Sequence, residues 1–239
     1  PLATNAANAL QPPSWHHAFG TDQLGRDVFS RVIAATRLDL GIATSAVALS
    51  FFFGCALGCS AGFWGGWIDR IVGRFSDTIM AFPLFVLAMG IVAAMGNTVE
   101  NIIYATAIIN LPFYARVARS ETSVHRQAGY VHAARLCGSG NIRILATQIF
   151  PNILPPMMVQ VSLNMGWAIL NAAGLSFIGL GVRPPDAEWG IMVAEGANYI
   201  VSGEWWLAIF PGLALMLAVF CFNLLGDGLR DLVDPRRRT

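Results

Sequence analysis

The residues of this chain that could do chemistry are few and poorly placed for it. Its four histidines, His16, His17, His125 and His132, all fall in polar stretches. His16-His17 has no carboxylate or Cys at ligand spacing, so it reads as a solvated loop pair and implies no metal. Cys55, Cys59, Cys137 and Cys221 form no Cys-x-x-Cys pair, and Cys55 and Cys59 stand one helical turn apart in an apolar run. That spacing suits a helix–helix contact better than a disulfide framework, a zinc site or a redox centre. All 15 basic residues are Arg. A phosphate-binding P-loop needs a Lys to reach the β- and γ-phosphates, so this chain cannot hold one. If ATP drives its work, another polypeptide hydrolyses the ATP.

Composition sets the class. The 239 residues are 55% hydrophobic and only 12% charged, with a mean hydropathy of +0.57. A soluble domain of this length needs about 25% charged residues to cover its surface. The expectation is an all-α, polytopic membrane bundle with no cofactor and no nucleic-acid partner. Residues 1–38 read as an extracytoplasmic segment and 39–239 as the transmembrane domain. Asp27 is a natural N-cap for an interfacial helix over 28–38, apolar at Val28, Val32 and Ala35, with Arg31 and Arg37 on other faces. Five spans are expected over 40–63, 78–95, 101–115, 145–173 and 207–225. Gly54, Gly58 and Gly62 recur every four residues on the first, a seam for close helix packing. Trp64 to Arg74 reads as a short loop with aromatic anchors, and Pro83, Pro112, Pro151, Pro155 and Pro156 punctuate the later spans.

Eleven of the fifteen Arg fall in the loop after the first span, in the 116–144 loop and in the C-terminal tail. The positive-inside rule makes these cytoplasmic and leaves the 176–206 loop outside. Five spans with an internal C-terminus put the start of the chain outside, which suggests that a first span has been lost.

No Asp, Glu, Arg or His falls mid-span, although ion- and proton-coupled carriers usually need such a group there. A membrane enzyme would likewise need a nucleophile and base at bilayer depth. Asn110, Gln160, Asn164, Asn171 and Asn223 do lie in spans, mostly as interhelical hydrogen-bond partners. Asn164 and Asn171 are the candidates for a translocation path. Function must therefore come from a shape change imposed from outside. The place to impose it is residues 130–156, a polar, basic, Gly-containing interruption between two apolar runs. Its Ala133, Ala134 and Gly138 would let a short helix over 132–141 sit deep in a partner's groove.

That stretch resembles the cytoplasmic EAA loop of ABC-importer permeases. The pattern is Glu-Ala-Ala, three residues, Gly, then nine residues to Ile-x-Leu-Pro. His132-Ala133-Ala134, Gly138 and Phe150-Pro151 keep the spacing, while His132 replaces the Glu and Gln148 the Ile. The runs GTDQLGRDVFSR, SFIGLGVRPPDAEWG and FNLLGDGLRDLVDPR resemble the dipeptide/oligopeptide/nickel subfamily, in particular the second permease of its pairs. The resemblance implies a MetI-like bundle, usually of six spans, in a bacterial inner membrane. Implied partners are a homologous permease, two cytoplasmic ATPases, a periplasmic substrate-binding protein and lipid. The implied coupling residues are His132, Ala133, Ala134, Arg135, Gly138, Gly140 and Pro151. Arg183, Asp186, Glu188 and Trp189 are the implied contacts to the binding protein. The solute would be a peptide or peptide-like molecule, with nickel or another small solute of the same subfamily as the alternative. An autonomous carrier or channel is the reading from a different class. A neutral His132 cannot pair with a cationic group on an ATPase as a Glu could, so coupling would rest on packing. His132→Glu should then be tolerated, whereas Gly138→Trp should abolish transport without preventing membrane insertion. Normal uptake by the Trp variant would remove the docking assignment.

Overall fold

The computed structural model describes residues 3–233. The tail residues Asp234, Pro235, Arg236, Arg237 and Arg238, read above as basic and cytoplasmic, lie outside the described residues. Among the described residues there is no β-strand. Nine α-helices among the described residues follow in order: α1 (Val28–Trp64), α2 (Gly66–Met80), α3 (Leu84–Met95), α4 (Val99–His125), α5 (Gly129–Leu136), α6 (Asn141–Ile144), α7 (Phe150–Phe177), α8 (Trp189–Ala197) and α9 (Trp206–Val233). A π-helical turn, Leu145–Ile149, joins α6 to α7. Three of these stretches are long and apolar enough to cross a bilayer: α1, the α6–α7 run and α9. The pair α2 and α3, bent by 89°, counts as a fourth if it is one span. Helix α4, at 27 residues, has the length but carries Arg116, Arg119 and Glu121 in its second half.

The chain forms two compact units. One comprises 3–46, 88–106 and 165–221, the other 47–87, 107–164 and 222–233. In the first, the N-terminal segment folds onto the start of α1. Asp27 caps that helix: its Oδ2 accepts from the Ser30 backbone N–H at 2.8 Å and from the Ser30 hydroxyl at 2.7 Å. The residues expected to form a separate interfacial helix continue without a break into the span residues of α1. Arg31, expected on an outward face, is buried at 1% exposure beside Asp22, whose Oδ2 also accepts from Arg26 Nε at 2.6 Å. Two guanidinium groups are tolerated there because Asp22 lies between them. His17, expected in a solvated loop, pairs through Nδ1 with Asp27 Oδ1 at 3.0 Å.

In the second unit the glycine seam packs against α4. A Cβ at Gly54 would meet Tyr114 Cβ at 2.6 Å, one at Gly58 the Ala115 carbonyl at 2.3 Å, and one at Gly62 the Arg119 carbonyl at 2.5 Å. Each glycine is thus the condition for backbone-to-backbone approach. The stretch expected to be a loop after Trp64 is instead the amphipathic helix α2. It buries Val72, Ser76 and Ile79, spaced i, i+4, i+7. Asp69 and Asp77 on α2 accept from Arg119 Nη2 (2.7 Å) and Arg116 Nη2 (2.6 Å) on α4. The span expected over 78–95 is split, because Pro83 has no N–H to donate and pushes Phe82 out of helical geometry. Its first three residues end α2, and the apolar run begins afresh at Leu84.

Gly58→Ala should lower the thermal midpoint in detergent by several degrees, since overpacking of this kind costs about 1–3 kcal/mol. The same change at Gly73 of α2, where a Cβ meets nothing within 4 Å, should leave the midpoint unchanged or raise it.

Candidate functional site

The segment expected to couple is α5, a turn, and α6. Helix α5 ends in a Schellman motif: the Ser139 N–H donates to the Ala134 carbonyl at 3.0 Å and the Gly138 N–H to the Arg135 carbonyl at 2.9 Å. Gly138 sits at φ +80° with nothing within 4 Å of an added Cβ. The glycine is required by backbone conformation and not by crowding, which leaves open space on its outer side. Gly140 has φ −69° and precedes α6 as its cap.

This segment is tied to the longer helices on its inner side. Val131, Ile144 and Ile149 are fully buried. The Tyr130 hydroxyl lies 2.7 Å from His125 Nδ1 at the end of α4. The Arg135 guanidinium stacks 5.8 Å from the centre of the Phe63 ring near the end of α1. The outer side is open: His132, Ala133, Arg135, Gly138, Gly140 and Pro151 are exposed and Ala134 half-buried. Two apolar side chains that sequence reasoning passed over, Leu136 and Ile142, stand out at 90% and 75% exposure. Their signal was an apolar residue on either side of a Gly-Ser-Gly turn. The proline-rich entry to α7 does not break the helix as expected. The π turn places the Phe150 N–H on the Leu145 carbonyl, and the helix then runs through Pro155 and Pro156.

The 176–206 stretch was expected to be a polar excursion offering Arg183, Asp186, Glu188 and Trp189 to a partner. It contains α8 and is well packed. Arg183 and Asp186 are exposed, but Glu188 and Trp189 are buried at 0% and 3%. Glu188 caps α8, its Oε1 accepting from Gly190 N at 2.9 Å and Oε2 from Ile191 N at 2.8 Å. The Trp189 backbone N–H donates to Asp39 Oδ2 at 3.1 Å, and its Nε1 to the Val32 carbonyl at 3.0 Å. These two residues clamp the loop onto α1 and are not free to meet another protein. Trp206 is also internal, its Nε1 donating to the Thr21 carbonyl at 3.2 Å, whereas Trp205 stays about half exposed. Buried indoles find carbonyl acceptors, so of Trp189, Trp205 and Trp206 only Trp205 keeps an exposed ring. Asp39, which sequence reasoning missed, is 2% exposed. It is held by the Trp189 backbone N–H and so joins α1 to the loop that Glu188 caps. Its sequence signal was a lone acid at the edge of an apolar run.

Asn164 and Asn171, the path candidates, are buried at 7% and 3%. Asn171 Nδ2 donates to the Trp167 carbonyl at 3.0 Å within its own helix, and Asn164 Oδ1 accepts from Gln160 Nε2 at 3.3 Å. Asn164 Nδ2 has no hydrogen-bond partner among the described residues.

Among the described residues there are helices and no strands, several of them long and apolar enough to cross a bilayer, which is the architecture of a polytopic membrane protein. Residues 54–239 match the family of binding-protein-dependent transport system inner membrane components. The dipeptide transport system permease DppC of Alkalihalophilus pseudofirmus is 43% identical over 99% of this chain and 77% of its own length. The probable D,D-dipeptide transport system permease DdpC of Escherichia coli K12 is 45% identical, over 98% of this chain and 80% of its own length. A glutathione transport system permease, GsiD of Pectobacterium atrosepticum, is 42% identical over 95% and 75%. The fold matches the MetNI methionine ABC transporter in an inward-facing form, with a TM-score of 0.66 and 16% identity over 86% of this chain and 97% of that one. The chain belongs to the binding-protein-dependent transport system inner membrane component family, and it is a multi-pass permease of the kind found in ABC importers.

Burial raises the Glu188 carboxyl above the ordinary range of about 4.3, against the lowering effect of its hydrogen bonds from Asp39, Gly190, Ile191 and Ser176. A raised acid contributes stability that is complete below the unfolded value and is lost as pH rises through the folded one. The thermal midpoint in detergent should therefore fall from pH 4.5 to 8, and Glu188→Gln should fall less steeply. An equal slope in both proteins would show that Glu188 does not titrate with folding.

Proposed function

We propose that this chain is one of two homologous permeases in an ATP-driven, binding-protein-dependent importer of short peptides. The α5–turn–α6 segment is the seat for a cytoplasmic ATPase. One observation carries the reading: the segment is bound to the ends of α1 and α4 on its inner side while its small residues, with Leu136 and Ile142, face outward. A groove closing on that surface would move α1 and α4 together. His132, Ala133, Ala134, Arg135, Gly138 and Gly140 form or border the docking surface. Pro151 lies one turn further on, at the entry to α7. ATP hydrolysis belongs to the partner ATPases, since a chain without Lys holds no P-loop.

The distribution of Arg supports a cytoplasmic position for this segment and the opposite side for the 176–206 loop. There the exposed Arg183 would meet a periplasmic binding protein, while Glu188 and Trp189 hold the loop in place. Asn164, with its unpartnered Nδ2, is the better placed of the two path candidates. Peptides are favoured as solutes because permeases similar to this one are named for dipeptides, D,D-dipeptides and glutathione. The outward apolar side chains of α9, among them Leu213, Met216, Leu217 and Phe220, suit lipid and a second permease.

Inverted membrane vesicles cannot receive the binding protein, so the test uses proteoliposomes containing both permeases and both ATPases, with binding protein outside and ATP inside. Labelled Ala-Ala should accumulate only when ATP and the binding protein are both present. Accumulation that persists without ATP would instead make the chain part of an autonomous carrier. ATP-driven uptake of a nickel chelate but of no peptide would overturn the substrate class alone.

A further inference from the structure

Beside the clamp between α1 and the 176–206 loop, the first unit contains an open cavity of about 540 Å³. Its walls are largely aliphatic, with Leu38, Ile42, Val99 and Ile103 among them, and two charged side chains line it, Arg37 and Asp186. Neither is in an ion pair with another described residue. Their placement is built into the fold. Arg37 lies two residues before Asp39 on α1, and Asp186 lies two residues before Glu188 in the loop. The bonds from Trp189 to Asp39 Oδ2 and to the Val32 carbonyl lock those two segments together. The same bonds fix Arg37 and Asp186 on the lining of one cavity.

Arg37 and Asp186 are exposed side chains of opposite charge on one apolar-walled space of this size, a lining that suits a ligand with both charges and an uncharged body. A guanidinium is the natural receptor for a carboxylate, which it meets with two parallel N–H donors. A carboxylate accepts equally well from a primary ammonium. The molecule with these two ends and a short neutral middle is a small zwitterion. An extended dipeptide is at most about 7 Å long, so a cavity of this volume admits it with its side chains against the aliphatic wall.

We propose that this cavity is a transit site for short peptides with free ends, the α-carboxylate on Arg37 and the α-ammonium on Asp186. The site would receive solute as the binding protein releases it. It rests on the peptide-importer reading given above and adds a discrimination step inside the membrane subunit.

The test uses proteoliposomes with the complete importer and its binding protein, and labelled Ala-Ala as probe. Arg37→Gln and Asp186→Asn should each lower the initial uptake rate roughly tenfold, the loss expected for one charge-assisted hydrogen bond. The double exchange Arg37→Asp with Asp186→Arg should recover most of the rate, because the two charges are still present and a zwitterion can bind in the reverse direction. A merely structural role would not give that recovery. Single variants within twofold of wild type, at equal amounts of assembled complex, would overturn the site and leave the importer reading intact. A double exchange no better than the worse single variant would overturn it too. Failure of the wild-type complex to import Ala-Ala or any other di- or tripeptide would overturn the peptide reading and this site with it.

Discussion

Backbone that lies in hydrocarbon has no water to bond to, and much of this structure follows from that constraint. It keeps α1 unbroken for 37 residues and carries α7 through a Pro155–Pro156 pair that would end most helices. The π turn ahead of Phe150 gives that residue's N–H an acceptor, so the chain enters α7 without an exposed backbone gap. Where the helix does break, at Ala81 to Pro83, the run behind it is the amphipathic α2 with Asp69, Arg70, Arg74 and Asp77, suited to an interface with water. Close approach then depends on small residues. With no hydrophobic drive between helices in lipid, α1 and α4 meet through Gly54, Gly58 and Gly62.

The same constraint sorts the charged residues. Those that are buried lie with partners near the start of α1: Asp22 with Arg26 and Arg31, and Asp39 with Glu188. Each group makes the position of one segment depend on another, since separating the partners would leave a charge or a carboxyl buried alone. The 176–206 stretch thereby becomes a fixed part of its unit. In the other unit the ordering runs through Arg135 on Phe63, Tyr130 on His125, and the pairing of α4 with α2 through Arg116 and Arg119. Those last two pairs are partly exposed, and each contributes about 0–1 kcal/mol, so they set register more than stability.

Much of this was legible in the sequence. Long uncharged runs gave the helices, the four-residue glycine repeat gave the α1 seam, and Asp27 three residues before Ser30 gave the cap. The helix expected over 132–141 instead spans Gly129–Leu136 and stops before Gly138, whose φ of +80° a glycine takes without strain. Helix α2 was readable but was hidden by Trp64, Trp67 and the glycines Gly65, Gly66 and Gly73, which look like loop chemistry; the Val72, Ser76, Ile79 spacing was the better signal. What could not be read was pairing between distant residues. Asp39 and Trp189 are 150 positions apart, and Arg31 is buried beside Asp22 of the N-terminal segment and near Glu195 of α8. A charged residue in sequence defaults to the surface until its partner is known. Glu188 and Trp189 were for that reason assigned outward, when their hydrogen bonds point inward.

The claim on which the functional account turns is that the outer side of α5 and its turn is covered by an ATPase. A native probe stands on that surface: Cys137, exposed at the C-cap of α5, while Cys55 and Cys59 are buried and Cys221 is exposed within the apolar helix α9. The direct measurement is the rate at which a membrane-impermeant maleimide labels Cys137 in inverted vesicles, with and without the partner ATPases bound. The account predicts labelling from the cytoplasmic side and sharp protection when the ATPases are bound, reversed when they are stripped. Equal labelling in both states, with the ATPases still retained on the membrane, would contradict it.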